Sequence, residues 1–429
     1  MRTNQNTTQT YGKKVSAALF LMLAGIFLIT SCGNSVGLFY SVENVVKIDE
    51  EGRDLPDDAL ISSFSAGADQ YFVTTSTLLT RVAAASEDSD PGYAWKQVTP
   101  PVNGSGTTYK NTFQAAMVNG SLLVQFSNDS SDGLISGLFH TEESELSYTD
   151  DEISPQWNPI TEVNSHDSGG RPAGFFITDS GIVVQLQLKD ETTSVLSYNL
   201  YELSSDFSTI ATDIVTGLPS PIVDAQSTGA DTWFISSSRI YRADSADLST
   251  FSSISEIDAQ DSVFDDDRLK PQDSTGDLKI YGFTGLESTG ADSLHVASSK
   301  GFIYHWDGSW SVFSDSDGNP QRFANPDGVF TRFTDLLYME SSPLGDAVLA
   351  AGTENEGYVL IDTEAGAASY YDAEDVESTN LYYTDLYRSH ISRLVQDKQQ
   401  GRDNVFALTP DNSLWRASLQ DQRVIWVRE

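Results

Sequence analysis

Cysteine and basic residues are both scarce in this chain. Only one of the 429 residues is Cys, which excludes disulfides within the chain, zinc-finger spacings and redox chemistry based on a Cys pair. Lys and Arg number 25 against 62 Asp and Glu, and a net charge of −37 repels nucleic-acid phosphates. Glycine-rich phosphate loops are also missing from the sequence. We therefore predict no cofactor, no nucleic-acid partner and no enzymatic activity.

Long apolar runs are rare, and the longest one lies near the N-terminus. Val15–Ile29 carries no charge and follows Lys13 and Lys14. The run is shorter than the roughly 20 apolar residues that span a bilayer, and small residues follow it at once. This pattern predicts a signal peptide over residues 1–31.

The only Cys follows this run directly, in the segment Ile29-Thr30-Ser31-Cys32. The segment resembles the lipobox of bacterial lipoproteins. The resemblance implies cleavage before Cys32, acylation of Cys32 with two or three chains such as palmitate, and stable attachment to a membrane. The resemblance also favours the outer membrane, on its periplasmic or surface face, because Gly33 and Asn34 follow the Cys where lipoproteins retained in the inner membrane carry Asp. Residues 32–36 then form a lipidated tether, and residues 37–429 form one domain.

The body of the chain is predicted to be all-β. Short runs of β-branched and aromatic residues alternate with Gly, Asp, Asn and Ser. Asn119-Gly120 separates two apolar runs within Ala116–Phe126, the strongest short hairpin signal, and Asp307-Gly308 does so within Ile303–Phe313. Further hairpins are predicted over Phe175–Gln185 and Val405–Ala417.

These hairpins recur as units about 55 residues apart. The predicted first strands begin near Ile61, Thr112, Pro172, Ile222, Tyr281, Phe333 and Ile391. The predicted third strands are Leu78–Val82, Gly137–His140, Asn199–Glu202, Ile240–Ala243, Phe302–Trp306, Tyr358–Asp362 and Leu414–Ala417. Seven units of four antiparallel strands predict a seven-bladed β-propeller. A β-sandwich pair and another tandem β-rich arrangement are the alternatives. Phe39–Ile48 could close the ring by pairing beside Val424–Arg428.

Candidate site residues are few. Asp315, Asp317 and Asn319 alternate in a DxDG-like loop, and oxygen ligands at that spacing suit calcium. An Asp-rich turn between blades explains the same residues. The five His are isolated in sequence and predict no metal site. The seven Trp are expected to pack mainly between blades, except that Trp306 and Trp310 flank one turn and are predicted to form an exposed ligand-binding pair.

Two functions follow from these patterns. The leading prediction is a monomeric, non-enzymatic envelope lipoprotein that reaches the membrane through its lipid anchor and binds or scaffolds an envelope protein through a propeller face. The alternative is a propeller that binds or cleaves glycans, which requires carboxylates and aromatic rings at one mouth of the channel. Ser165-His166-Asp167-Ser168-Gly169 partly resembles the Asp-box of sialidases, with Pro172 in place of the closing aromatic residue. The arginines considered for such a site are Arg81, Arg171, Arg239, Arg332, Arg388 and Arg416.

Overall fold

Almost all of the regular secondary structure in the described residues is β-strand. The structure is a computed structural model and describes residues 55, 61–68, 70–83, 93–102, 106–130, 133–146, 153–165, 170–190, 192–253, 281–290, 293–314, 317–325, 328–363, 367–369, 386, 389–398, 404–410, 413–420 and 423–429. All of them belong to one unit, Gly52–Glu429, and the unit Met1–Glu51 lies outside the described residues. No helix in these ranges is long and apolar enough to cross a membrane.

The strands form seven sheets of four antiparallel strands, which we number as blades in chain order. Blade 1 comprises β1 (Ser63–Ala66), β2 (Tyr71–Thr74), β3 (Leu78–Ala83) and β4 (Tyr93–Gln97). Blade 2 comprises β5 (Asn111–Val118), β6 (Ser121–Ser130), β7 (Gly133–Glu142) and β8 (Asn158–Pro159). Blade 3 comprises β9 (Arg171–Thr178), β10 (Gly181–Lys189), β11 (Leu196–Leu203) and β12 (Ile210–Leu218). Blade 4 comprises β13 (Ile222–Thr228), β14 (Asp231–Ser236), β15 (Ile240–Asp244) and β16 (Asp247–Ser253).

The remaining three blades repeat the same order. Blade 5 comprises β17 (Phe283–Gly290), β18 (Ser293–Ser298), β19 (Ile303–Trp306) and β20 (Trp310–Val312). Blade 6 comprises β21 (Phe333–Ser342), β22 (Gly345–Thr353), β23 (Tyr358–Asp362) and β24 (Ala367–Ser369). Blade 7 comprises β25 (Arg393–Gln396), β26 (Val405–Thr409), β27 (Ser413–Gln420) and β28 (Arg423–Arg428). A 3₁₀ turn at Glu143–Leu146 and the helix α1 (Thr161–Asn164) flank β8.

The seven-bladed propeller predicted from the sequence is confirmed. Each predicted first strand begins within two residues of an observed one, and each predicted third strand falls on the third strand of its blade. The β-sandwich alternative is wrong, because the strands of each four-stranded sheet pair only with one another and the seven sheets follow one another around a ring. The Asn119-Gly120 turn has φ values of 51° and 79°, so both residues occupy the left-handed region that a tight two-residue hairpin requires.

Seven apolar clusters hold the ring together, one in each interface between neighbouring blades. The first strands of successive blades lie side by side around the centre, and the later strands extend outwards. The Trp residues all belong to these clusters or pack against them: Trp95, Trp157, Trp233, Trp306, Trp310, Trp415 and Trp426. This confirms the prediction that strand Trp residues pack between blades.

The ring closes by packing of blade 7 against blade 1. The rings of Phe64 and Phe406 stack with centroids 4.2 Å apart, and the Tyr71 hydroxyl donates a 2.7 Å hydrogen bond to the fully buried Asp397 carboxylate. Blade 7 takes its four strands from consecutive parts of residues 393–428. The predicted closing strand Phe39–Ile48 lies outside the described residues.

Candidate functional site in the central channel

The first strands of all seven blades line a central cavity of about 710 Å³. Five of these strands contain a β-bulge, where one extra residue breaks the register with the second strand. The extra residues are Phe113, Ala173, Val223, Thr284 and Thr334. A bulge bends the strand and redirects its side chains, and three of these residues, Phe113, Ala173 and Val223, line the cavity.

The residue after the bulge repeatedly joins one blade to the next. The Gln114 amide bonds both backbone groups of Phe175, accepting from its N–H at 3.1 Å and donating to its carbonyl at 2.6 Å. Asp224 accepts the N–H of Leu286 at 3.0 Å, and Asp335 accepts that of Leu394 at 2.7 Å. These polar side chains are therefore held in place by bonds between blades.

In blade 5 the residue after the bulge is a glycine, Gly285. A Cβ atom at Gly285 would lie 2.7 Å from the backbone nitrogen of Leu336 and 2.9 Å from two backbone atoms of Asp335. Gly285 therefore allows β21 to approach β17 closely. At the equivalent position in blade 3, a Cβ atom at Gly174 would meet its nearest neighbour at 3.6 Å, an ordinary contact.

Three carboxylates and two basic side chains from blades 4 to 7 line the same cavity. They are Asp224, Glu287, Asp335, Arg393 and Lys398. Arg393 is 47% exposed because it faces the cavity, and its Nη2 atom lies 3.9 Å from Asp224 Oδ1. This distance is that of a loose ion pair rather than a hydrogen bond.

Burial raises the pKa of each of these carboxyl groups. It raises the pKa of Glu287 to about 8 against the opposing effect of Lys398, and that of Asp335 to about 7 against the opposing effect of Arg393. The pKa of Asp224 is also raised by burial. Protonated carboxyls can donate as well as accept hydrogen bonds, so near neutral pH the channel offers both types of group to a polar ligand.

The arginines considered for a glycan site are mostly placed elsewhere. Arg171 lines the cavity and donates from Nε and Nη2 to the Gln187 amide oxygen. Arg81 and Arg416 both pair with Glu429, and Arg332 pairs with Glu354. Arg388 and most of the Asp-box-like segment lie outside the described residues. The central arginine of the channel is Arg393, which sequence reasoning missed.

The prediction of an exposed Trp pair is wrong. Trp306 and Trp310 do lie opposite each other across the β19–β20 hairpin and share a face. Trp310 is only 4% exposed, however, because both rings pack against Trp233 of blade 4, with centroids 5.3 and 5.6 Å from that ring. The contact with Trp233 could not be predicted from the sequence, because Trp233 belongs to the neighbouring blade. Ligand binding by the pair stays a prediction.

Calcium binding by Asp315, Asp317 and Asn319 stays a prediction. Asp315 lies outside the described residues, and Asp317 and Asn319 are exposed in the connection between β20 and β21. Among the residues that the structure does describe, no group of three or more His, Cys, Asp or Glu side chains is arranged to hold a metal ion.

Two histidines ten residues apart meet across one hairpin of blade 5. His295 and His305 stack across β18 and β19 with centroids 4.6 Å apart. Burial, and then the His305 charge, lowers the pKa of His295 to about 3, and burial lowers that of His305. Both rings are therefore neutral near pH 7 and act as part of the packing.

Strand order, ring closure and channel define the chain as a seven-bladed β-propeller with a polar central channel. No protein-family model matches the chain, and no curated protein matches it. Similar solved structures share 9 to 11% sequence identity with the chain.

Three of these structures illustrate the similarity. PorZ, a surface component of the type-IX secretion system of Porphyromonas gingivalis, matches 86% of this chain with a TM-score of 0.47 and 9% identity. The extracellular domain of BT4673, a hybrid two-component system of B. thetaiotaomicron, matches 86% with a TM-score of 0.48 and 11% identity. The chain spans only 38% and 40% of those two chains. The WD40 propeller domain of Doa1 matches 86% of this chain over 96% of its own, with a TM-score of 0.46 and 11% identity.

Proposed function

We propose that this chain is a monomeric envelope lipoprotein, attached to the outer membrane through Cys32, that binds or scaffolds a protein partner through a propeller face without catalysing a reaction. The observation that supports the binding role is that polar side chains of the channel form hydrogen bonds between blades. Gln114, Asp224 and Asp335 are engaged in hydrogen bonds to the backbone of the next blade. Side chains held in this way make the ring rigid, and a rigid ring presents a fixed face to a partner.

The surface charge indicates the chemistry of the partner. The chain has 62 acidic and 25 basic residues, so a basic partner is favoured and direct contact with anionic lipid is disfavoured. Membrane attachment then depends on the acyl chains, and two or more chains are enough for stable anchoring.

The anchor is tested by substituting the acylated residue. Cys32→Ala should abolish incorporation of labelled fatty acid and move the protein from the detergent phase to the aqueous phase, or block its maturation. Ser35→Ala, three residues later, is the matched control and should behave as the wild type. Unchanged partitioning of the Cys32→Ala protein would contradict the lipoprotein assignment. Separation of inner and outer membranes tests the favoured destination.

Partner binding is tested by crosslinking the lipidated protein in its own cells, with mass spectrometry of the products at low and high salt. A reproducible envelope protein, lost at high salt, is the expected result because exposed charge contacts are screened by salt. Repeated failure to recover any protein partner would contradict the binding role.

A glycan function is the second candidate, and the channel carboxyls favour it. Glu287 and Asp335 face the same cavity, and burial raises the pKa of each. A raised pKa is also typical of the carboxylic acid that donates a proton to the glycosidic oxygen in glycoside hydrolases. Binding of the purified protein to an array of envelope glycans, repeated with Glu287→Gln, tests this function. Retention or cleavage of a glycan by the wild type, reduced in the variant, would favour it over protein binding.

A further inference from the structure

One position on the first strands joins the blades in the same way around the channel. Its side chain accepts the N–H of the residue that follows the equivalent position on the next blade. Ser63 Oγ accepts from Ala115 in this way at 2.9 Å, and Gln114, Asp224 and Asp335 form the corresponding bonds. Glycine occupies the position in blades 3 and 5. In blades 1 to 6 the position therefore holds either an acceptor for the next blade or no side chain.

Blade 7 departs from this pattern, because its residue at the same position is Arg393. The assignment follows from Leu394, the next residue, whose N–H is bound by Asp335. A guanidinium has five N–H donors and no acceptor, so Arg393 cannot form the bond that the other side chains form. Its side chain makes no hydrogen bond to any residue that the structure describes, and its ion pair with Asp224 is 3.9 Å long. The guanidinium therefore retains donors for a molecule in the cavity that it lines.

The charges around this guanidinium suit an anion near neutral pH. Lys398 and Arg171 line the same cavity and add positive charge. Burial raises the pKa of Glu287 to about 8 and that of Asp335 to about 7, so at pH 7 the first is mostly protonated and the second about half protonated. Even with Asp224 fully ionised, the basic groups outweigh the carboxylates. A further cation gains little here, whereas an anion is accommodated.

Two buried glutamines of blades 2 and 3 offer groups that bind hydroxyls. Gln185 is 3% exposed and accepts the Ile222 N–H through Oε1 at 2.7 Å, which leaves its Nε2 donors. Gln125 is 5% exposed and donates from Nε2 to the Pro172 carbonyl at 2.9 Å, which leaves its Oε1 acceptor. Both side chains line the cavity, and within the described part of the chain nothing bonds these remaining atoms. A hydroxyl group can accept from the donor and donate to the acceptor.

An apolar surface lies across the channel from Arg393. In a ring of seven blades, blades 3 and 4 lie opposite blade 7. Their bulge residues, Ala173 and Val223, line the cavity together with Phe113 of blade 2. Phe113 and Val223 are each 44% exposed, so both can contact another molecule. The cavity of about 710 Å³ has the size of a small-ligand site, with an apolar side and a few polar groups that converge on it.

We propose that the channel binds a small hydroxylated carboxylic acid, such as a hexuronic acid, whose carboxylate forms a bidentate pair with the Arg393 guanidinium. Lys398 adds positive charge, the amides of Gln125 and Gln185 bind hydroxyl groups, and Phe113 contacts the apolar face of the sugar ring. The net charge of −37 belongs to the whole chain, and salt screens charges more than about 8 Å away, so the channel groups decide what binds. The site is independent of the protein partner proposed above, and it narrows the glycan candidate to acidic sugars.

Titration of the full lipidated chain in detergent tests the site. The probes are glucuronate and galacturonate, with binding measured by isothermal titration calorimetry. Their amides, glucuronamide and galacturonamide, are the matched controls, because they keep the hydroxyls and lack the charge. At least one acid should bind about tenfold or more tightly than its amide, because the charged pair is lost in the amide. Failure of both acids to bind, or equal binding of each acid and its amide, would overturn the inference.

Substitution of the arginine locates the carboxylate. Arg393→Gln should weaken binding of the acid by about tenfold or more, and Arg393→Lys, which keeps the charge but loses the bidentate geometry, should weaken it less. Arg332→Gln is the control, because that arginine pairs with Glu354 and does not line the cavity. The urea midpoint of Arg393→Gln should stay close to that of the wild type, since the replaced side chain makes no hydrogen bond within the described chain. Unchanged affinity in both Arg393 variants would overturn the inference.

The pH dependence of the wild type gives a test that needs no variant. Both acids are ionised at about pH 6 and at about pH 9, whereas Asp335 and Glu287 lose protons between these values, so binding should be weaker at the higher pH. Binding that is equal or tighter at the higher pH would contradict the assignment. If neither acid binds while neutral glycans are retained on the array, this inference fails and the glycan candidate stands. Recovery of a crosslinked protein partner tests the proposed function separately.

Discussion

Replacing Gly285 by alanine tests the close approach of blades 5 and 6. The new Cβ atom would lie 2.7 Å from the backbone nitrogen of Leu336, where ordinary contacts begin at 3.4 Å, so β21 would have to move by about 0.7 Å. That strand is held on both sides. Phe333 accepts a 3.0 Å hydrogen bond from Thr284, and Asp335 accepts one of 2.7 Å from Leu394. Because the neighbour is backbone, no side-chain rotation relieves the contact. We expect Gly285→Ala to lower the free energy of unfolding by about 1–3 kcal/mol.

Gly174→Ala is the matched control for this prediction. Gly174 is the residue after the bulge of blade 3, as Gly285 is in blade 5, but a Cβ atom at Gly174 would lie 3.6 Å from its nearest neighbour, Gln114 Oε1. Neither glycine has the positive φ that would strain an alanine. Alanine also restricts the unfolded chain, so Gly174→Ala should be neutral or stabilising by about 0.5 kcal/mol. Urea unfolding followed by Trp fluorescence measures both variants. Equal effects of the two substitutions would refute the argument from backbone contact.

Three further predictions concern the channel, the seam and the Trp cluster. The raised pKa of Glu287 means that the native state retains a proton which the unfolded state loses, so stability is fully present below the unfolded pKa and falls as pH rises to about 8. Urea midpoints at about pH 5 and pH 9 should therefore differ less in Glu287→Gln than in the wild type, and an identical difference would contradict the assignment. Tyr71→Phe removes the hydroxyl that donates to the buried Asp397 and links blades 7 and 1. It should lower the free energy of unfolding in urea by about 1–3 kcal/mol. An unchanged free energy would show that this bond does not stabilise the seam. Trp310→Ala should cost about 3–5 kcal/mol because the ring is 4% exposed, and a loss below about 1 kcal/mol would instead fit an exposed ring.

The blades could be located from local sequence patterns. Turn chemistry such as Asn119-Gly120 and the aromatic third strands lie within a few residues of each other, and the alternation of apolar residues reports which face is buried. These are short-range signals, so the order of strands and the number of units followed from them.

The channel cluster could not be found in this way. Asp224, Glu287, Asp335 and Arg393 come from four different blades, and only the closed ring brings them together. Asp224, Glu287 and Asp335 lie two to four residues after the start of a first strand, and Arg393 is the first residue of one. None of these positions carries a distinctive local motif. Knowledge of where the bulges lie would have helped, because the residue after the bulge is Asp224 in blade 4 and Asp335 in blade 6. Trp310 was misjudged for the same reason, since its cover comes from another blade.

The seam between blades 7 and 1 has a consequence for how the chain acquires its fold. Bonds between successive blades join residues close in sequence, for example 52 apart from Ser63 to Ala115 and 59 apart from Asp335 to Leu394. The bond from Tyr71 to Asp397 spans 326 residues. The added loop-closure entropy of that longer span is only about 1.5 kcal/mol, which the stacked Phe64 and Phe406 rings help to offset.

Timing matters more than this energy. During synthesis blade 1 emerges first and blade 7 last, so the apolar face of blade 1 waits uncovered until nearly the whole chain has been made. Every incomplete chain therefore carries two open blade faces. Until the last blade covers them, these faces can pair wrongly with the open faces of other incomplete chains or with other proteins.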